Sequence, residues 1–275
     1  METIEKYKLT HALFDTHAHY FDKRLDEIGG ADKILREEVF DKGVGRVVNV
    51  GTNNENNLVC IAQAQKYDGM YAAVGLHPED IRYCKGSLED EIETLRNIIG
   101  DKANRHAKKI VALGEIGLDY HYEGFDKDRQ AKFFDAQMCL AEELDMPVII
   151  HNREAHGDCF ECVLRHPKVR GVFHSYSGSA EMAAELIRRG WYISFSGVVT
   201  FKNATRVREV VASVPTERLL IETDCPYLTP HPFRGRVNHS GFIRYTAEAI
   251  AEIKGMSFEE IVEITDRNGL ELFQI

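Results

Sequence analysis

FDTHAHY, residues 14–20, sets Asp15, His17 and His19 at every second position directly after the short opening HALF. In extended backbone successive side chains point to opposite sides, so these three polar groups share one face and converge on one point. Working outward, short β-branched runs bounded by Gly, Pro or Asn recur along the chain: HALFD (11–15), RVVNVG (46–51), MYAAVG (70–75), KIVALG (109–114), PVIIH (147–151), VRGVFH (169–174), WYISFSG (191–197) and RLLIET (218–223). They are continuous apolar runs, as expected of strands buried on both faces in a parallel sheet.

Helical spacing fills the intervals. A capping box, Ser87 with Asp90, opens a segment carrying Ile92, Leu95 and Ile99; residues 126–145 place Ala131, Phe134, Met138, Ala141 and Leu144 on one face; and Ser257 with Glu260 opens a closing helix over 257–273. Eight strand-then-helix units predict an α/β fold, a (β/α)8 TIM barrel with allowance for distortion and a closing C-terminal helix, as one domain over 1–275. An open doubly wound sheet is the alternative, but the glycine-rich loop that would follow its first strand is missing.

The 275 residues, 44% of them apolar, suffice for a large core, and no Pro/Gly/Ser-rich linker, low-complexity tract or short-period repeat divides them. With Lys+Arg 34 against Asp+Glu 44, the formal charge of −10 argues against a broad basic face for duplex DNA. Any nucleic-acid contact is expected to be local, with bound divalent cations supplying positive charge. METIEKYKLT (1–10) lacks the apolar region of an export signal and no run is long enough to cross a bilayer, so a soluble, cytoplasmic protein without a membrane or obligate protein partner is expected. The six cysteines then read as free thiols, Cys159-x-x-Cys162 included.

In such barrels chemistry gathers where strands end. Strand one ends in Asp15, His17 and His19; His77 follows strand three, Glu115 strand four; His151 and His174 end strands five and six; strand eight runs into Glu222 and Asp224. By contrast His11, His106, His121, His166 and His231 read as ordinary hydrogen-bonded or surface residues. Four histidines with two carboxylates are too many for one four-coordinate ion that keeps a position open for water, so two divalent ions are expected. His17, His19 and Asp224 would serve the first and His151 and His174 the second, with Glu115 between them. Paired ions of this kind activate water for hydrolysis. Glu115, Asp224 and Glu222 form the candidate catalytic set: Asp224 as proton acceptor, Glu222, with Asp15, as an orienting group.

FDTHAHY, VGLHPED, GEIGLDY, PVIIHNREAH, FHSYSGS and ETDCPYLTP, in this order and spacing, closely resemble the TatD family of metal-dependent deoxyribonucleases, a branch of the amidohydrolase-like barrels. The likeness runs from about residue 13 to 273. HxH alone is a weak signal; GEIGLDY together with ETDxPYL is a strong one. The resemblance implies a divalent-metal centre (Mg2+, Mn2+ or Zn2+) and hydrolysis of phosphodiester bonds in DNA, often single-stranded and from the 3′ end. It also implies metal ligation by His17, His19, Glu115, His151, His174 and Asp224, the set already read from the strand ends. His77 looks like a substrate-phosphate contact, and Arg153, His156 and Ser175 to Ser179 line the same mouth. After strand eight the family's Arg-Asn-x-Pro is replaced by PFRGRVNHSGF, which displaces Arg236 and Asn238, while Arg234 and Arg236 still offer cations for a phosphate.

Two rival functions stand beside this one. An amidohydrolase would cut a C–N or carboxylic ester bond, as in deacylation of an aminoacyl-tRNA; several such barrels bridge their metals with a modified lysine where this chain has Glu115. A non-catalytic partner in DNA processing would tolerate decayed ligands, and none of the six is replaced.

Overall fold

The computed structural model describes residues 11–275; METIEKYKLT, read above for the lack of an export signal, lies outside them. Eight strands, β1 (Leu13–Ala18), β2 (Val44–Val50), β3 (Met70–Val74), β4 (Ile110–Asp119), β5 (Val148–Arg153), β6 (Gly171–Phe173), β7 (Tyr192–Phe195) and β8 (Leu219–Ile221), pair in parallel in chain order. Around them run α1 (Ala31–Ile34), α2 (Asn54–Lys66), α3 (Leu88–Ile99), α4 (Lys102–Ala107), α5 (Lys127–Leu144), α6 (His156–Arg165), α7 (Ala180–Arg188), α8 (Thr205–Ser213), α9 (Ile243–Lys254) and α10 (Phe258–Phe273). This is a nearly closed (β/α)8 barrel, not an open doubly wound sheet. Among the described residues no helix is long and apolar enough to cross a membrane.

The buried apolar residues fall into two groups. One lies between the strands and the surrounding helices. The other takes Phe14, Val48, Ala112, Ile149, Val172 and Leu220, among others, one or two from each strand, and so fills the barrel interior. It continues into Leu272 and Phe273 of α10, whose ring packs 5.9 Å from that of Phe14, so the closing helix plugs the lower end. A Cβ on Gly269 of α10 would stand 2.5 Å from the Phe14 ring, which makes glycine the residue that lets helix and plug meet. The capping boxes read from sequence are present at Ser87/Asp90 and Ser257/Glu260.

Closure between β8 and β1 uses few ladder bonds. A single bridge joins Ala18 and Cys225, supported by His19 N–H to Cys225 O at 2.8 Å and Asp224 N–H to His17 O at 2.9 Å. Below it the Asp15 carboxylate substitutes for a backbone acceptor, taking the Thr223 N–H at 2.9 Å and the Thr223 hydroxyl at 2.5 Å. Asp15 is thus a seam residue: its one link to a candidate ligand is the backbone N–H of His17, at 3.3 Å. Leaving those buried donors unanswered costs about 1–3 kcal/mol each. Asp15→Ala should therefore lower the unfolding free energy in urea by about 2–4 kcal/mol; an unchanged midpoint would show that the seam does not depend on this side chain.

Candidate metal centre

β4 runs five residues past the run KIVALG, to Asp119, and carries Glu115, Gly117 and Asp119 on one face. Gly117 has φ +144°, and a Cβ there would lie 2.0 Å from the carbonyl oxygen of His151. Only glycine lets β4 approach β5 closely enough for Glu115 and Asp119 to reach His151 from either side.

Glu115 is the centre of the site. Its Oε2 stands 3.4 Å from His17 Nε2 and 3.5 Å from His19 Nε2. Its Oε1 stands 2.7 Å from His151 Nδ1 and 2.8 Å from His174 Nε2. Asp224 completes the first group, with Oδ1 at 3.7 Å from His17 Nε2 and 3.4 Å from His19 Nε2, while those two nitrogens face each other at 3.1 Å. Donors about 2.0–2.1 Å from a tetrahedral ion lie roughly 3.4 Å apart. The measured separations scatter around that spacing. In the second group His151 Nδ1 and His174 Nε2 are 3.3 Å apart with Glu115 Oε1 between them. All six candidate ligands read from the sequence therefore converge on the rim, with one Glu115 oxygen facing each group.

The far nitrogens of the rings support the same assignment. His19 Nδ1 is 2.7 Å from Val50 O, His151 Nε2 is 2.9 Å from Asp119 Oδ2, and His174 Nδ1 is 3.2 Å from Glu222 Oε1. A carbonyl or carboxylate on one nitrogen fixes the proton there and leaves the other free for an ion. His17 Nδ1 is buried without a partner. Its ring instead stacks on that of His174, with centroids 4.0 Å apart. His77 differs: its Nδ1 accepts the Glu79 N–H at 3.1 Å, so a neutral ring carries its proton on Nε2, which points at Glu115 Oε1 from 3.5 Å. That makes His77 a donor toward the site and not a ligand.

Charges balance locally. Burial would raise the Glu115 carboxyl, but His77, His174, His17 and the hydrogen bond to His151 hold it well below the usual range. For Asp224 burial is likewise overcome by the histidines, and its carboxyl is lowered. Burial works against the cationic forms of His174, His151 and His19, yet the surrounding carboxylates raise all three, His174 most. Burial and the neighbouring His174 depress His17.

Glu222 lies on the opposite side of His174 from Glu115, fully buried, and also accepts the Ser175 N–H at 2.8 Å. It holds the ring and does not reach the cleft. Of the substrate candidates, His77, Arg153 and Ser175 line the cleft of about 900 Å3 above the cluster. His156, Arg234 and Arg236 do not. His156 opens α6 with its Nδ1 buried and unpartnered. The two loop arginines lie instead on aromatic rings, Arg234 4.2 Å above Phe201 and Arg236 5.4 Å from Phe233. Asn238 is buried and pins the loop after β8 by donating to Thr223 O and Tyr227 O.

Three supporting residues escaped the sequence reading. Asp119 would have been found by applying to GEIGLD the alternation that singled out Asp15, His17 and His19. Gln130 and Gln137 of α5 are buried on a helix face read as apolar; they hold the end of β4 through Asp119 N and the loop after β3 through Leu76 N. His11, His121 and His166 pair with Asp266, Glu154 and Asp135. Asp135, Cys162 and His166 could form a metal-binding trio, but Asp135 already binds the Arg165 guanidinium and burial pushes the Cys162 thiol up to about 12.

Fold and rim together define a barrel hydrolase with a donor set suited to paired divalent ions. Residues 14–274 match the family described as TatD related DNase. The chain is 41% identical over 265 residues to the metal-dependent hydrolase YabD of Bacillus subtilis, covering 96% of this chain and 99% of that one. It is 42% identical over 211 residues, 76% of this chain and 75% of the other, to the metal-dependent hydrolase YcfH of Escherichia coli. The crystal structure of YjjV, a TatD homologue from Escherichia coli, superposes with a TM-score of 0.86 at 30% identity over 96% of this chain and 98% of that one. The chain belongs to the TatD family, and it is a hydrolase of that family.

Because Asp119 fixes the His151 ring, Asp119→Ala should weaken affinity for Zn2+ or Mn2+ by about 10–100-fold in a chelator-competition titration. The surrounding carboxylates raise His174, His151 and His19 above the ordinary imidazole value, and their protons would have to leave before an ion binds, so apparent affinity should fall as pH is lowered. A flat profile would mean these rings are not the ligands.

Proposed function

We propose that this chain hydrolyses phosphodiester bonds in DNA, acting on single strands from the 3′ end. The observation that carries the reading is the division of Glu115 between two donor groups, one oxygen to each, beneath an open cleft. Paired divalent ions held there would supply a nucleophilic water at neutral pH and offset the charge that develops on the phosphate. His17, His19 and Asp224 would hold the first ion, His151 and His174 the second, and Glu115 both.

The remaining work falls to the chain's own residues. Asp224 faces the cleft, with its carboxylate held in the anionic form, and accepts the proton of the attacking water. His77 points its Nε2–H toward the same space and donates to a phosphate oxygen. Asp119 and Glu222 keep the His151 and His174 rings from rotating. The family to which the chain belongs supports DNA as the substrate.

Glu115→Ala removes a ligand from both groups at once. It should reduce turnover of a single-stranded oligonucleotide by about 10³-fold or more while the circular dichroism spectrum is retained. Chelation should silence the wild-type protein, and Mg2+, Mn2+ or Zn2+ should restore it. If the metal-loaded protein turns over N-acyl or carboxylic ester substrates and no phosphodiester, the amidohydrolase reading replaces this one.

A further inference from the structure

Among the described residues lining the cleft, Arg24 and Arg153 are the only lysines or arginines, and neither is ion-paired with a carboxylate. Each lies instead on a tyrosine that also lines the cleft. Arg24 sits 4.6 Å above the Tyr227 ring, whose hydroxyl donates to Asp22 at 2.7 Å. Arg153 sits 5.0 Å above Tyr122 and donates to its hydroxyl at 3.2 Å. The tyrosines remain 38% and 48% exposed, so both keep surface for another planar group.

Their places in the ring matter more than their number. Arg24 follows β1 and Tyr227 follows β8; Tyr122 follows β4 and Arg153 ends β5. In an eight-stranded ring the β8/β1 and β4/β5 edges are opposite, with the Glu115 cluster between them. Asn152, next to Arg153, adds a side-chain amide in the cleft wall whose oxygen and nitrogen are both buried and unpartnered.

We propose that the two arginine–tyrosine pairs form a cradle for a single-stranded polynucleotide crossing the rim, holding a nucleotide on each side of the phosphate being cut. This rests on the phosphodiesterase reading above. A guanidinium takes a backbone phosphate or stacks on a base, and a phenol ring takes a base face. A duplex, with its bases already stacked, would satisfy only the phosphate contacts. Acting at a 3′ end, one pair holds the terminal nucleotide and the other the strand behind it.

The test uses the full chain and a fluorescein-labelled single strand of about 16 nucleotides. By anisotropy with the metal removed, Arg24→Ala and Arg153→Ala should each weaken binding about 5–10-fold, and the slope of log affinity against log salt should flatten by about 0.7 per arginine lost. Arg24→Lys should keep the salt slope and lose part of the affinity. With metal restored, KM for the strand should rise with kcat within about twofold, and more than KM for a simple aryl phosphodiester. Wild-type cleavage of DNA with binding, slope and KM unmoved in Arg24→Ala would overturn the cradle alone. A wild-type holoenzyme that cuts neither the strand nor the aryl diester would remove the phosphodiesterase reading and the cradle with it.

Discussion

The seam between the last strand and the first is the constraint on which the rest depends. His17 O receives the Asp224 N–H, and the side chains of the same two residues face each other across 3.7 Å on the rim. Closing the ring and assembling the first donor group are therefore one event. Asp224 pays for this geometry with a left-handed φ of +56°, a conformation that aspartate tolerates better than most residues and that is often found where a side chain must be aimed. Asp15 and Thr223 lie directly below, so the seam that supports the barrel also fixes the height of the donor group above it.

On the phosphodiesterase reading proposed above, a strongly acidic chain needs its attraction for a polyanion to be local. At physiological ionic strength charges separated by more than about 8 Å are largely screened, so acids spread over the outer helices weigh little on the cleft. Inside it, Arg24 and Arg153 mark opposite edges, Glu79 is answered by Arg82, Asp80 accepts from the Asn53 amide, and Glu115, Asp119 and Asp224 are engaged with imidazoles. Of these carboxylates, Glu115 and Asp224 belong to the candidate donor groups, where bound cations would offset their charge.

The barrel was legible because its strands are continuous apolar runs, and all eight occur in the order read from them. Their ends were less so. The run KIVALG stops where β4 leaves the apolar interior, yet the strand continues to Asp119 because its ladder to β5 persists through the polar rim. β6, β7 and β8 end sooner than their runs, as the chain turns to present His174, Ser196 and Glu222. The convergence of the six candidate ligands was readable because alternation and strand ends place them without knowledge of packing. Partners set by tertiary packing were not: Gln130 and Gln137 sit on a helix face whose spacing reads as apolar, and the loop arginines Arg234 and Arg236 turn to rings that are distant in sequence or hidden by the turn around Gly235. Arg24, exposed and just beyond FDTHAHY, carries no motif position of its own and offered no signal until the ring placed it beside Tyr227.

Four imidazoles and two carboxylates gathered at the rim, most of them nearly inaccessible to water, oppose folding, since buried ionisable groups are costly unless paired. The barrel limits that cost by keeping the two environments apart. The interior group runs from Phe14 to Leu220 and down to the Phe273 plug in apolar and aromatic side chains, and the polar cluster lies at the other end of the strands. Stability is thus concentrated at the end of the barrel closed by α10, while the opposite end can hold a charged cluster whose candidate ligands are set by strand ends. If the cradle proposed above is correct, Arg24 and Tyr227 after β1 and β8, and Tyr122 after β4, could vary with the strand that is gripped while Glu115 keeps its place on β4.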